Sequence, residues 1–427
     1  MKKFFLIVLL ICATVLNAQW SEQTSPVTTA LRSVSSVNST TAWICGASGV
    51  VLRTTNTGST WQNVSSTTIP TTVTLISVAG IDANTALVTG YSGTPSTTWV
   101  WKTSNGGANW TQVFTEGNGG FIDAICMSTA TNGMLIGDPV PAGARWSLWK
   151  TTNAGTTWDS TGMYLLAGSS AEAGWNNSAF SVQPYMWFGT NNSRIYFSTN
   201  NGATWVAQTT PRASTYAISF YPFGGNYNGF AGSDSLLATT NSGNTWSIKT
   251  APGANNSSGV STLIVPMIQG VWYVKNGLSQ IYYSLTGGTN FVTEYTASAG
   301  TYWHISAGKV GVGWWAVRSN GGISYRQPIT SINTISTQTP DNYKLFQNYP
   351  NPFNPTTNIR YQISKSGFVS LKIYDLSGKE VANLVNKNQT PGTYETSFNG
   401  YWLSSGVYFY TLSAGDFRQT NKMMIVK

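Results

Sequence analysis

One octet recurs seven times between Thr54 and Tyr325: TTNTGSTW, TSNGGANW, TTNAGTTW, STNNGATW, TTNSGNTW, and the eroded SLTGGTNF and RSNGGISY. Its closing aromatics, Trp61, Trp110, Trp158, Trp205, Trp246, Phe291 and Tyr325, are separated by 49, 48, 47, 41, 45 and 34 residues. A repeat of this length built from short strands is the mark of propeller blades, because one unit cannot bury its apolar faces alone and must stack on its neighbours. The octet reads as a hairpin turn between the two outer strands of a blade. Asn at its third position accepts backbone hydrogen bonds and tolerates left-handed geometry, and Gly at its fifth supplies a positive φ. The aromatic returns the chain to the sheet and buries the hairpin against the blade. Two strand-like segments precede each octet, as LRSV and AWICG do in the first unit, with the alternation of half-buried strands. Seven units of four strands give a seven-bladed ring over residues 19–326. Two segments compete to close it: WSEQTSP from Trp20, which copies the outer-strand pattern WVAQTTP at Trp205, and the stretch Tyr325, Arg326, Gln327, Pro328.

The ends of the chain carry different signals. Residues 1–18 read as a secretory signal peptide, with Lys2 and Lys3 ahead of an apolar run too short to span a bilayer and Ala18 at the expected cut. No other segment is apolar enough for a membrane span. Beyond the signal only Cys45 and Cys126 remain, in non-adjacent blades, so two buried thiols are expected and no disulfide. The net charge of +9 is spread without a Lys/Arg cluster, which gives nucleic-acid binding no footing. Residues 327–341 read as a Ser/Thr-rich linker. From 342 to 427 the texture changes: prolines punctuate NYPNPFNPTT, alternating strands follow, and Asp375 to Gly378 forms a hairpin turn. That segment reads as an independent, immunoglobulin-like β-sandwich of roughly seven strands. The expected fold class is therefore all-β, a seven-bladed propeller followed by a small sandwich.

Two resemblances sharpen this. The octet resembles the Asp box of bacterial neuraminidase repeats, with Asn56, Asn105, Asn153, Asn200 and Asn241 where that family usually has Asp. The substitution removes the charge a calcium role would need. With the N-terminal Trp strand, residues 20 to about 326 are similar to the single propellers of photosystem II assembly factors and related Asp-box proteins. The blocks YPNPFNPTTNIRYQI, VSLKIYDLSGKEVANLV and SSGVYFYTLSAGDFRQTNKMMIVK resemble the type A sorting domain of type IX secretion cargo. That resemblance implies export across the inner membrane by the signal, then passage to the cell surface or medium through secretion machinery that recognises residues 342–427.

Function is less legible. If the octets occupy one face of the ring, ligands are expected on the other, where the longest insertions are 90–99, 137–146 and 163–177. These carry the ligand-binding candidates Tyr91, Trp99, Arg145, Trp146, Tyr164 and Trp175, aromatic and polar types that suit the apolar faces and hydroxyl rims of sugars. Asp123 and Asp138 are expected at one end of the third blade with Glu172 within reach, which supplies the alternative reading of a glycoside hydrolase. A sialidase site is excluded because no Phe/Tyr-Arg-Ile-Pro motif is present. His304 is the only His, so a multi-His metal site is excluded as well, and no cofactor or metal is expected. The leading expectation is a secreted or surface-anchored binding module for a glycan or a protein, with a purely structural or adhesive role as a further alternative.

Overall fold

A computed structural model describes residues 20–426, apart from 94–96, 117–119, 142–143, 224, 266–267, 308–312, 327–331, 337, 355 and 401–402. The expected signal peptide lies outside the described residues. Seven antiparallel sheets follow one another around a ring. Their innermost strands are Leu31–Ser36, Thr74–Gly80, Ile122–Met127, Gly174–Val182, Ala217–Phe223, Ser257–Val265 and Tyr302–Ala307, numbered here as blades 1 to 7. Six blades have four strands. Blade 3 has three, and the isolated bridge Lys150 to Asp159 stands where its fourth would be, which corrects the expectation of four strands throughout.

The core is distributed over the contacts between blades. Seven apolar clusters each join two neighbours, and blade 7 meets blade 1 through Trp315, Val317, Ile323 and Tyr325 against Leu31, Ile44 and Leu52. This arrangement explains a departure from the expected alternation. The second strand of blade 1, Ala42–Gly46, is buried at every position because both its faces are covered. Ala42 and Ile44 face blade 7, whereas Trp43 and Cys45 face blade 2. Cys45 and Cys126 are free and buried.

The first six octets follow the third strand of their blades, leading in all but blade 3 into a fourth, and their hydrogen bonds repeat. In blade 1 the Thr54 hydroxyl accepts from Gly58 N–H (2.9 Å) and donates to Asn56 Oδ1 (3.0 Å), which also accepts from Thr60 N–H (3.0 Å). The left-handed residues are the fourth and fifth, Thr57 (φ 60°) and Gly58 (φ 76°), so Asn at the third braces the turn without adopting positive φ itself. Gly at the fifth is required twice over. A Cβ on Gly58 would sit 2.7 Å from the Trp315 ring of blade 7, and one on Gly155 would sit 2.6 Å from Leu87 of blade 2. The octet aromatic packs toward the same preceding blade: Trp61 meets Trp315 edge-on at 5.2 Å, and Trp110 meets Trp43 at 6.2 Å. The seventh octet departs from this plan, joining the second and third strands of its blade, Trp314–Arg318 and Ile323–Arg326.

That displacement leaves the outer edge of blade 7 to the N-terminal strand Trp20–Gln23, which pairs with Ile323–Arg326 from Trp20 opposite Arg326 to Gln23 opposite Ile323. The closure is pinned by two carboxylates. Glu294 of blade 6 accepts from the indoles of Trp20 and Trp272, each at 2.8 Å, and pairs with Arg326 at 2.7 Å. Glu22 accepts from the Tyr295 hydroxyl at 2.6 Å and pairs with buried Arg318. Both carboxylates are thus held by several donors, the condition under which a partly buried ion pair stabilises rather than destabilises.

The C-terminal region is a sandwich of two four-stranded sheets. Its strands alternate cleanly, as in Thr356–Ile363, and the inward side chains form one cluster that includes Tyr361, Leu371, Tyr410 and Ile425. Asp375 organises the expected hairpin, accepting from Ser377 N–H (2.9 Å) and Lys379 N–H (3.1 Å) ahead of Gly378 (φ 81°). One strand was not expected. Ile332–Ser336, inside the segment read as a linker, pairs with Gly392–Asn399 as an edge of the first sheet.

Candidate functional site

Strands in a blade alternate in direction, so the innermost strand begins where the second ends, and the turns after the third strand lie at the opposite end. At that beginning, six of the seven innermost strands slip register: between Leu31 and Ser33, Leu75 and Ser77, Ile122 and Ala124, Gly174 and Ala179, Ser257 and Gly259, and Tyr302 and His304. A bulge leaves a residue unpaired and re-aims its side chain. The residues set free are Arg32, Ile76, Asp123, the four from Trp175 to Ser178, Ser258 and Trp303.

All but the blade 3 bulge contribute to one cavity of about 260 Å³ at the mouth of the central channel. Tyr91 and Thr74 of blade 2, Tyr216 ahead of blade 5, and Asn256 and Asn276 of blade 6 complete its wall. The wide bulge of blade 4 supplies a cross-tie. Asn177, at φ 62°, donates from Nδ2 to the Ile76 carbonyl of blade 2 (2.7 Å) and accepts from the Ser33 hydroxyl of blade 1 (3.4 Å). Below the blade 6 rim, buried Lys275 donates to the carbonyls of Asn255 (3.0 Å) and Asp234 (3.3 Å), and Asn276 N–H donates to Asn256 O (2.8 Å). These bonds fix the approach of the polar wall.

One aromatic pair and one cation–π pair dominate the cavity. Trp175 is 37% exposed and leans on Tyr216 at 4.5 Å between ring centroids. The Arg32 guanidinium lies 3.9 Å above the Trp303 ring, with its Nε buried and without a hydrogen-bond partner. Burial pushes the Arg32 pKa down, and proximity to Tyr91 opposes that shift. No group of three or more His, Cys, Asp or Glu side chains that would hold a metal occurs among the described residues.

The residues expected from the sequence are distributed unevenly. Tyr91 and Trp175 line the cavity. Trp99 is half-buried against the core between blades 1 and 2 and stacks near Trp101. Trp146, at 1% exposure, is a core residue packed on Phe188 between blades 3 and 4, which overturns its reading as a ligand contact. Arg145 and Tyr164 meet each other at 5.9 Å but do not line the cavity. Asp123 and Asp138 do come together: Asp138 accepts from Gly174 N–H at 2.7 Å, and a Cβ on Gly174 would lie 2.5 Å from Asp123 Oδ2. Burial raises the pKa of both, and for Asp123 the neighbouring Asp138 adds to the shift. Asp123 is only 4% exposed, however, and neither carboxylate lines the cavity. Glu172 is committed elsewhere, accepting from Tyr196 (3.1 Å) and Gly168 N–H, with Arg194 Nε at 3.3 Å as an ion pair.

Arg32, Tyr216, Trp303 and the asparagines at 176, 177, 256 and 276 were not anticipated. The sequence carries no clear signal of them: Arg32 between buried Leu31 and Ser33 fits ordinary strand alternation, and the bulge shows only in Ser33 and Val34 being buried in succession.

In comparisons with known structures, the chain is similar to YCF48 bound to D1 peptide, at 16% identity and a TM-score of 0.52, over 72% of this chain and 96% of that one. It is likewise similar to YCF48 from Cyanidioschyzon merolae, at 14% identity and a TM-score of 0.51, over 72% and 99%. At these identities the likeness establishes the propeller fold alone. No curated protein matches the chain by sequence. Residues 347–427 match the family described as a secretion system C-terminal sorting domain. The chain is a β-propeller cargo whose C-terminal sorting domain directs it, by type IX secretion, to the cell surface or the extracellular space.

Proposed function

We propose that the propeller is a secreted or surface-held binding module that receives an extracellular glycan in the central cavity. One observation carries the reading: a single concave site is lined by Trp175, 37% exposed, and Trp303 together with four asparagines. Aromatic faces pack on the C–H faces of sugar rings, and neutral amides match hydroxyl rims without the desolvation cost of charges. About 260 Å³ lies just below the usual range of small-molecule pockets, roughly 300 to 1,000 Å³, and admits one sugar unit at a chain end or branch.

Hydrolysis would need two accessible carboxyl groups flanking the scissile bond. Asp123 is sealed beneath Gly174 and Glu172 is engaged by Arg194 and Tyr196, so the geometry supports binding over turnover. The test is a titration of the mature full-length protein with a panel of oligosaccharides. A saturable ligand whose affinity falls at least roughly tenfold in Trp175→Ala supports the reading, since stacked aromatic contacts at a binding centre carry that much. Retention of full affinity by Trp175→Ala, or capture of a surface protein in place of any glycan, would refute it.

A further inference from the structure

We propose that the cavity selects an acidic glycan, with Arg32 holding the carboxylate of a uronate residue; this rests on the glycan reading above. Among the cavity's described lining residues, Arg32 is the only charged side chain. Its guanidinium is held over the Trp303 ring, 3.9 Å from the ring centroid, which limits where the donor fork can go. Its Nε is buried without a partner, and the six ion pairs among the described residues all involve other side chains. A half-buried cation with no counter-charge is unfavourable on its own, and an incoming anion relieves that penalty. A carboxylate does so best, because its two oxygens match the planar guanidinium fork. The surrounding chemistry narrows the bearer. An uncharged wall of Asn256, Asn276 and Ser258 offers nothing to a second charge but pairs with hydroxyls, and Trp175 offers a ring face. A sugar that carries one carboxylate and several hydroxyls on a compact ring satisfies all of these together.

The experiment compares, on the mature full-length protein, a trigalacturonate with its methyl ester, which keeps the shape and removes the charge. Wild type is expected to bind the free acid roughly tenfold to a hundredfold more tightly than the ester, the range of a charge-assisted hydrogen bond left unmade. Arg32→Gln is expected to abolish the difference between acid and ester, and Arg32→Lys to restore part of it. The melting temperature of each variant is measured alongside. If Arg32→Gln fails to fold, the acid-to-ester ratio of wild type and of Arg32→Lys decides alone. Equal binding of acid and ester, an unchanged ratio in Arg32→Gln, or preference for a sulfated oligosaccharide would overturn the uronate assignment while leaving the glycan reading standing. Binding of neither sugar, with binding instead of a peptide that has a free C-terminal carboxylate, would remove both.

Discussion

At the scale of the residue, the repeat is governed by close approach. The octet glycines combine positive φ with contact against the preceding blade, and these effects can be separated. Gly58→Ala, which meets both, is expected to cost about 2–4 kcal/mol, whereas Gly162→Ala, at φ 75° with nothing within 4 Å, should cost only the left-handed strain of about 1–2 kcal/mol. Urea denaturation of the two variants gives the comparison directly. A second residue-level expectation concerns His304, whose Nδ1 accepts from Val34 N–H across the junction of blades 7 and 1 (3.3 Å). Desolvation lowers its pKa to about 4, so the unfolded chain takes up a proton near pH 6.5 that the folded chain refuses. Its contribution to stability is complete above pH 6.5 and is lost as the pH falls toward 4. The urea midpoint of wild type should therefore drop more between pH 7 and 4.5 than that of His304→Gln. The raised carboxyls of Asp123 and Asp138 act with the opposite sign, but they are common to both proteins and cancel in the comparison. Trp99 and Trp175 divide in the same manner: Trp99→Ala should lower stability by about 3 kcal/mol through lost packing, and Trp175→Ala should leave it within about 1 kcal/mol.

At the scale of the element, the blade is the unit and the closing strand is the weak joint. Trp20–Gln23 is four residues long, yet Trp20 is 3% exposed in the cluster between blades 6 and 7. Trp20→Ala should cost about 3–5 kcal/mol, and hydrogen exchange should locate the lost protection in blades 6 and 7 first. Uniform loss around the ring would show that closure is not a local joint. How much of this was readable depended on periodicity. Octet spacing announced the blades, and the likeness of WSEQTSP to WVAQTTP announced the closing strand. What sequence could not decide was whether Tyr325 and Arg326 took the same edge, because the last octet is shifted from the third hairpin to the second and the spacing of 34 records that shift only in retrospect. The missing fourth strand of blade 3 was equally hidden: TTNAGTTW has the full motif, but Asp159 follows with a single bridge instead of a ladder. The cavity was the least legible part. Much of it is made from residues that bulges eject from five different strands, and a bulge appears in sequence only as one misplaced residue.

At the scale of the whole molecule, the propeller and the sorting signal occupy different parts of the chain. The sorting domain has its own core, built from residues between Leu345 and Ile425, and the ring has seven interfaces of its own. Deleting residues 347–427 should leave the exported protein in the periplasm by cell fractionation, and its appearance in the medium would contradict the role of the tail. Among the described residues no helix is long and apolar enough to cross a membrane, so the account of surface delivery rests on the sorting domain itself. If the mouth of the channel, rather than the octet face or the outer loops around Arg145 and Tyr164, holds the ligand, then titration of the mature protein and its Trp175→Ala variant with the same oligosaccharide panel should separate them. A saturable glycan ligand is expected for the wild type that the equally stable variant no longer binds; undiminished binding by the variant, or no glycan ligand for the folded wild type, would place the site elsewhere.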